Sequence, residues 1–198
     1  MIAVVLFDLD GVVRHFSRSS VEDIETRHGI EAGAIDRVAF SSPLIEDVTT
    51  GRISRRDWLD RIAEHLGNRE AAAEWGRQPF DADPAMLALA DALRALGLRT
   101  AILTNGTDTI PAETAELGLD AHFDAIFNSA TIGYAKPHPR AFQYVLDSMG
   151  VPASAVFFTD DSPAKLAGAA TLGITTHHYT SSADLELALR ESGIPIGA

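Results

Sequence analysis

The chain has 198 residues, 46% hydrophobic and 22% charged, with a formal net charge of −12 and no cysteine. That length carries one domain, or one domain with a sizeable insertion, and can bury a core of ordinary size. The charge repels nucleic acids, and the lack of cysteine excludes a disulfide scaffold, a thiolate metal site and cysteine catalysis.

The opening run MIAVVLFDLDG has no basic leader and reaches acidic residues within a few positions. It is expected to be a core strand and not a signal peptide. No apolar run nears the ~18 residues of a membrane span, so no membrane contact is expected and the cytoplasm is the default setting. Residues 2–7 form the first of five nearly continuous apolar runs; the others are 99–103, 125–127, 155–158 and 174–178. Runs without alternation read as strands covered on both faces.

Residues 14–80 show only helical patterns and polar turns. Ser19-Ser20-Val21-Glu22 and Ser54-Arg55-Arg56-Asp57 have the spacing of a capping box, the second with Asp in the last place. The second leads into a stripe of Trp58, Leu59, Ile62 and Leu66 that Gly67 ends, and Trp58 and Trp75 are expected to pack within this segment. Residues 14–80 therefore read as a helical module inserted into a core made of 1–13 and 81–198, with Pro79 and the 81–84 turn as the return. Beyond it, helical patterns at 84–96, 111–117, 139–149 and 163–172 alternate with the strands. Each has Pro near its start and Gly just past its end. A last helix is expected near 183–191. Such alternation predicts an α/β fold, a doubly wound, Rossmann-like parallel sheet of five strands with helices on both faces.

Polar residues follow four of the strands: Asp8-Leu9-Asp10-Gly11, Thr104-Asn105-Gly106, Gly133-Tyr134-Ala135-Lys136-Pro137 and Thr159-Asp160-Asp161-Ser162. In an open parallel sheet the ligand crevice lies outside the carboxyl ends of the strands. One crevice should therefore collect Asp8, Asp10, Thr104, Lys136, Asp160 and Asp161. Two like charges about 4 Å apart cost roughly 4 kcal/mol at an effective dielectric of about 20. Four carboxylates beside one ammonium need protons or a cation. Oxygen-only donors favour a hard ion, Mg²⁺ foremost, and a metal beside a Lys and strand-end amides makes a phosphate site. Plainer readings exist for single motifs. Asp-Gly and Asn-Gly favour turns, and Asp160 or Asp161 can cap the next helix. Successive strand residues point to opposite faces, so His177 and His178 cannot chelate one ion together. His138 reads as a loop or helix entry.

Taken together, Asp8-Leu9-Asp10-Gly11-Val12, Thr104-Asn105-Gly106, Lys136-Pro137 and Phe158-Thr159-Asp160-Asp161 resemble the four motifs of the haloacid dehalogenase superfamily in order, spacing and strand-end placement. The helical insertion looks like the cap of that superfamily's helical-cap branch. Its small size and the segment Thr50-Gly51-Arg52-Ile53-Ser54 are similar to sugar-phosphate phosphatases and the N-terminal phosphatase domain of soluble epoxide hydrolases. The resemblance implies a central first strand beside the second and fourth. It implies Asp8 as the nucleophile that becomes an aspartyl phosphate, and Asp10 as the acid that protonates the leaving oxygen and then activates water. Mg²⁺ would be held by Asp8, the Asp10 backbone carbonyl and Asp161, with Asp160 direct or through water. Thr104 and the Asn105 amide, in the loop with Gly106, would hold phosphoryl oxygens, and Lys136 would balance the charge. Arg14, His15, Phe16 and Arg18 would face the cap junction as candidates for substrate contact, and Arg52 is a weaker candidate.

The implied function is Mg²⁺-dependent hydrolysis of a small phosphorylated metabolite, a sugar phosphate foremost. A phosphomutase is an alternative, although the sugar-phosphate mutases of this branch carry a cap histidine where this chain has Ser20. A 2-haloacid dehalogenase is a second alternative, against which Asp10 stands, because the metal-free dehalogenases lack an acid there. A non-catalytic binding module is a third. A receiver-type signalling domain also groups Asp, Thr and Lys but is shorter and has no cap. Monomer and homodimer are both compatible with the sequence.

Overall fold

A computed structural model describes residues 1–16 and 18–197. The side chains of Arg18, Ser19 and Ser20, and with them the capping box at 19–22, lie outside the described residues. Strand β1 (Val4–Phe7) leads through a tight loop to β2 (Arg14–Phe16). Five helices follow: α1 (Arg18–Arg27), α2 (Ala34–Ala39), α3 (Leu44–Thr49), α4 (Arg55–Leu66) and α5 (Arg69–Trp75). Strand β3 (Phe80–Ala82) and helix α6 (Pro84–Ala95) come next, then β4 (Arg99–Thr104), α7 (Ile110–Glu116), β5 (Ala125–Asn128), α8 (Ser129–Ile132) and α9 (Pro139–Met149). The chain ends with β6 (Val156–Asp160), α10 (Pro163–Thr171), β7 (Thr175–His178) and α11 (Ser182–Glu191).

Five strands form one sheet in the order β5-β4-β1-β6-β7, with β1 central and parallel to β4 and β6. The apolar run of β1 is unbroken because both faces are covered. Val5 and Phe7 enter a core with Met86, Leu93 and Leu189, whereas Val4 and Leu6 enter another with Phe142, Val145 and Phe158. Burying each such side chain contributes about 2 kcal/mol. Helix ends follow the local chemistry. Asp83 Oδ1 accepts the Ala85 N–H at 2.8 Å before Pro84 opens α6. His138 Nδ1 accepts the Arg140 N–H at 3.1 Å to start α9, which Gly150 ends at φ 64°.

The helices α1–α5 have an apolar cluster of their own, centred on Ile35, Val48, Trp58, Ile62 and Trp75. Ser54 and Asp57 make both halves of a capping box at the start of α4. The buried Glu25 carboxylate accepts the N–H groups of Gly33 and Ile35 at 2.7 and 2.9 Å. These donors supply the partners that a buried charge requires.

The sequence suggests only helix and turn between 14 and 80, but the segment is tied off by an antiparallel ribbon. In it, Arg14, His15 and Phe16 pair with Ala82, Asp81 and Phe80. Three-residue strands are too short to show a period of two, so no pattern announces them. Among the described residues, no helix is long and apolar enough to cross a membrane.

Candidate active site

Strand β1 ends by donating the Asp8 N–H to the Thr159 carbonyl at 2.9 Å, which seats Asp8 beside the end of β6. The chain then turns sharply, with the N–H groups of Val13 and Arg14 both donating to the Leu9 carbonyl at 2.8 Å. Gly11 sits in this turn at φ 87°, and a Cβ there would lie 2.1 Å from Asp161 Oδ2. Only glycine admits both the backbone angle and the close approach of Asp161.

Lys136 is the centre of the buried charge. Its Nζ donates to Asp8 Oδ1 and to Asp160 Oδ2, each at 2.7 Å, and its side chain is 1% exposed. The Leu9 N–H also donates to Asp8 Oδ1 at 2.7 Å. Asp160 is fully buried and accepts the Ser162 N–H at 2.9 Å. Asp8, Asp160 and Asp161 each bring a carboxylate oxygen within 4.8 Å of one another. Burial pushes the Asp8 carboxyl up to about 7, against the pull of the Lys136 ammonium, with the neighbouring Asp160 adding to the rise. Burial also raises Asp161, again helped by Asp160. Lys136 moves the other way: burial disfavours its charge, but Asp8 and Asp160 raise it above its ordinary value. The ammonium therefore stays charged and the carboxylates carry the strain of crowding. This donor set, hard oxygens on a crowded acidic cluster, fits a hard divalent cation such as Mg²⁺.

Loop positions are clamped as well. The Asn105 side chain donates from Nδ2 to the Lys136 carbonyl at 2.8 Å and accepts the Lys136 N–H at 2.7 Å. Its side-chain amide is thus committed to holding the Lys136 loop, and the neighbouring Gly106 borders the larger of two adjoining cavities. Asp8, Asp10, Thr104, Asn105, Lys136, Asp160 and Asp161 all border one cavity of about 90 Å³, together with Ser162 and Lys165. A second cavity, of about 300 Å³, adjoins it, and Asp10 and Asn105 border both.

Asp10 is held by a network that motif reading does not reach. Arg14, itself buried, donates from Nε to Asp10 Oδ1 at 2.6 Å and from Nη2 to Oδ2 at 3.0 Å. Its third arm, Nη1, donates to Glu113 Oε2 at 2.6 Å. Burial works against the Arg14 charge, but Asp10 and Glu113 more than offset it and raise the guanidinium above its usual value. Burial likewise pushes Glu113 up, but the Thr109 hydroxyl and Arg14 bring it below the usual carboxylate value. The Thr109 hydroxyl donates to Glu113 Oε1 at 2.6 Å.

Not every candidate from the sequence reaches the crevice. His15 does not: alternation along the ribbon sends Arg14 inward and His15 outward, where Nε2 meets Asp83 Oδ2 at 3.3 Å. Arg52 is 61% exposed and pairs with Asp47 at 2.7 Å. Phe16 borders the larger cavity, as do Trp58 and Trp75, which also pack within the helical cluster. His177 and His178 diverge: His177 lies against Thr159 and Asp184, and His178 Nε2 lies 3.1 Å from the Asp161 carbonyl oxygen. Glu113 and Lys165 lie outside the four strand-end motifs, and Ser162 closes the last of them. Ser162 and Lys165 follow Asp161 closely and could have been read as the next turn of the same loop, whereas Glu113 carries no such signal.

A family model described as haloacid dehalogenase-like hydrolase matches residues 2–173. Bifunctional epoxide hydrolase 2 of Rattus norvegicus is 28% identical over 202 residues, a match covering 87% of this chain and 35% of that protein. The chain thus spans about a third of that relative's length. A phosphatase of Mycobacterium tuberculosis is 27% identical over 191 residues, covering 89% of this chain and 86% of the relative. Among solved structures, a Bacteroides thetaiotaomicron enzyme of the same family, in complex with magnesium and inorganic phosphate, aligns with a TM-score of 0.74 at 22% identity. That match covers 91% of this chain and 95% of the other. An L-2-haloacid dehalogenase of Xanthobacter autotrophicus aligns with a TM-score of 0.66 at 24% identity, covering 98% and 84%. At these identities the two structures share the fold with this chain.

Proposed function

This chain belongs to the haloacid dehalogenase-like hydrolases, and from that premise we propose that it hydrolyses a small phosphate monoester with Mg²⁺ bound, by way of a phosphoryl group carried on Asp8. One observation carries the reading: the Lys136 ammonium bridges Asp8 and Asp160 within a cluster of three carboxylates, at the mouth of a cavity that Asp10 also borders. The phosphatase relative of similar length supports it.

In this reading the Asp8 carboxylate, oriented by Lys136 and the Leu9 N–H, attacks phosphorus as the ester P–O bond breaks. Asp10 delivers a proton to the departing alcohol oxygen. It then takes one from the water that attacks the phosphoryl group, which releases phosphate and restores Asp8. Lys136, Thr104 and the backbone of Asn105 and Gly106 hold the non-bridging oxygens. Mg²⁺, held by Asp8, Asp160, Asp161 and the Asp10 carbonyl, would neutralise charge on the transferring group. Residues 14–80 act as a cap over a core of 1–13 and 81–198 and keep bulk water from the site. The substrate is a small phosphorylated metabolite, and the cytoplasm is the default setting. Asp10, placed beside the acidic cluster, favours phosphate chemistry over halide release.

The test is phosphate release from acetyl phosphate and a panel of monoesters, with and without Mg²⁺, beside Asp8→Asn. Metal-dependent release that falls at least about a thousandfold in Asp8→Asn is expected. Metal-independent halide release from a 2-haloacid, with no phosphate release, would overturn the proposal.

A further inference from the structure

The larger cavity lies on the alcohol side of the site. It adjoins the acidic cavity at Asp10 and Asn105, so whatever leaves the phosphoryl group past Asp10 passes into it. Five aromatic rings border it: Phe16, Phe40, Trp58, Trp75 and Phe80. Trp58 and Trp75 meet edge to face at 5.2 Å, with Phe40 at 6.4 and 6.3 Å from them. On the ribbon side, Phe16 and Phe80 meet at 5.6 Å, and the Arg14 guanidinium lies 4.9 Å from each ring. The apolar wall thus runs up to the group that holds Asp10. Phe40 and Phe16 remain 57% and 42% exposed, so folding alone does not account for these rings.

Most polar groups on the same wall are already engaged, and the Asp36 carboxylate, also on the lining, adds negative charge. The Arg14 side chain is divided between Asp10 and Glu113. Arg55 donates from Nη2 to the Gly76 carbonyl at 2.6 Å, with Nε 3.9 Å from Glu113. Thr49 donates to the Ile45 carbonyl at 2.7 Å, Gln78 to the Trp75 carbonyl at 3.1 Å, and the Thr107 and Thr109 hydroxyls share a bond of 2.8 Å. A second phosphate or carboxylate would meet the carboxylates of Asp10, Asp36 and Glu113 on this lining, against two guanidiniums, Arg14 and Arg55, that already face Glu113. A sugar's hydroxyls would lose water against a wall of five aromatic rings, which is costly.

We propose that this cavity receives the alcohol half of the ester, and that this alcohol is uncharged with a compact aromatic or cyclic hydrocarbon body. The proposal rests on the phosphatase reading above and narrows its substrate class away from sugar phosphates. A volume of about 300 Å³ holds on the order of ten water-sized groups, room for a one- or two-ring alcohol.

The test compares kcat/KM for 2-phenylethyl phosphate and glucose 6-phosphate, with acetyl phosphate as a probe that needs no cavity. Both esters are of primary alcohols, so their intrinsic leaving abilities are close and their ratio reads the cavity. A preference of at least about tenfold for the phenylethyl ester is expected. Phe40→Ser should cut that ratio at least threefold. Its side chain is exposed, so the fold should tolerate the change. Phe16→Ser, at the opposite wall, should do the same. Equal rates, a preference for the sugar phosphate, or a ratio unmoved in both variants would overturn the cavity assignment while leaving the phosphatase reading intact. No release from any of the three compounds would overturn both.

Discussion

The carboxyl edge of the sheet and the helical segment above it handle polarity in opposite ways. At the sheet edge, Asp8, Lys136 and Asp160 are all buried and joined by hydrogen bonds of 2.7 Å, and each charge is tolerated only through its neighbours. In the helical segment the interior is apolar apart from Glu25, which backbone N–H groups hold, and aromatic rings line the cavity that faces the edge. Charges packed this closely have no slack: removing one exposes the others. Aromatic walls are adaptable, since neighbouring rings share the burial and a change of one ring alters selectivity before it alters the fold. In the reading proposed above, the edge does the reaction and the segment above it chooses what undergoes it.

The largest effect should come from breaking the edge at its centre. Lys136→Met leaves Asp8 and Asp160 facing each other without their shared ammonium. Loss of one partner from a buried ionic cluster costs about 3–5 kcal/mol, which denaturant unfolding without metal would show. Phosphate release should also fall by about a thousandfold or more. Added Mg²⁺ should raise the Tm of this variant more than that of the parent, because the cation then compensates charge that Lys136 no longer covers. A Lys136→Met protein as stable as the parent would dissolve the contrast drawn above.

A middle-sized effect should appear where the two regions share a charge. Glu113 holds the third arm of Arg14 at 2.6 Å, and Arg14 holds Asp10. Glu113→Gln removes one anchor and loosens the position of Asp10. The loss should depend on the leaving group: about tenfold for an alkyl ester that needs a proton, and little for acetyl phosphate. An equal loss on both would mean that Glu113 only supports the fold. The same residue predicts a pH dependence. Its carboxyl lies below the ordinary 4.5 in the folded state, because the Thr109 hydroxyl and Arg14 outweigh burial. The unfolded chain thus binds its proton more readily. The stability Glu113 contributes is present above that ordinary value and is lost as pH falls through the lower, folded value. Glu113→Gln should therefore flatten the acid limb of the stability curve.

These two sets of residues also differ in how far the sequence exposed them. The sheet edge was legible because strand ends are local: an apolar run followed by Asp8 or Asp160 places both residues without knowledge of anything distant. The parallel sheet was legible from the alternation of strands and helices, and the central position of β1 from the family resemblance. Arg14 and Glu113 lie 99 positions apart, and no pattern joins them. The cavity takes rings from positions 16, 40, 58, 75 and 80, each of which reads locally as ordinary packing. His15 turns outward beside an inward Arg14, and a three-residue strand gives no alternation in the sequence to tell the two apart.

The smallest effect should come from the contact that seats one region on the other. Gly51, just after α3, lies at φ 72°, and a Cβ there would come within 2.2 Å of the Ala130 carbonyl oxygen at the start of α8. Both the angle and the approach exclude a side chain while the two regions touch. Gly51→Ala can relieve the overlap by parting them, because the apolar cluster of α1–α5 does not depend on Ala130. Global stability should then fall by only about 1–2 kcal/mol, the cost of an alanine at this left-handed angle, since the cores on both sides stay intact. KM for a ring-bearing ester should rise severalfold, because the aromatic wall no longer closes on the alcohol. Acetyl phosphate, which does not reach that wall, should show a smaller rise. A large loss of stability with KM unchanged would instead make the Gly51–Ala130 contact part of the folded core and not a seam between the two regions.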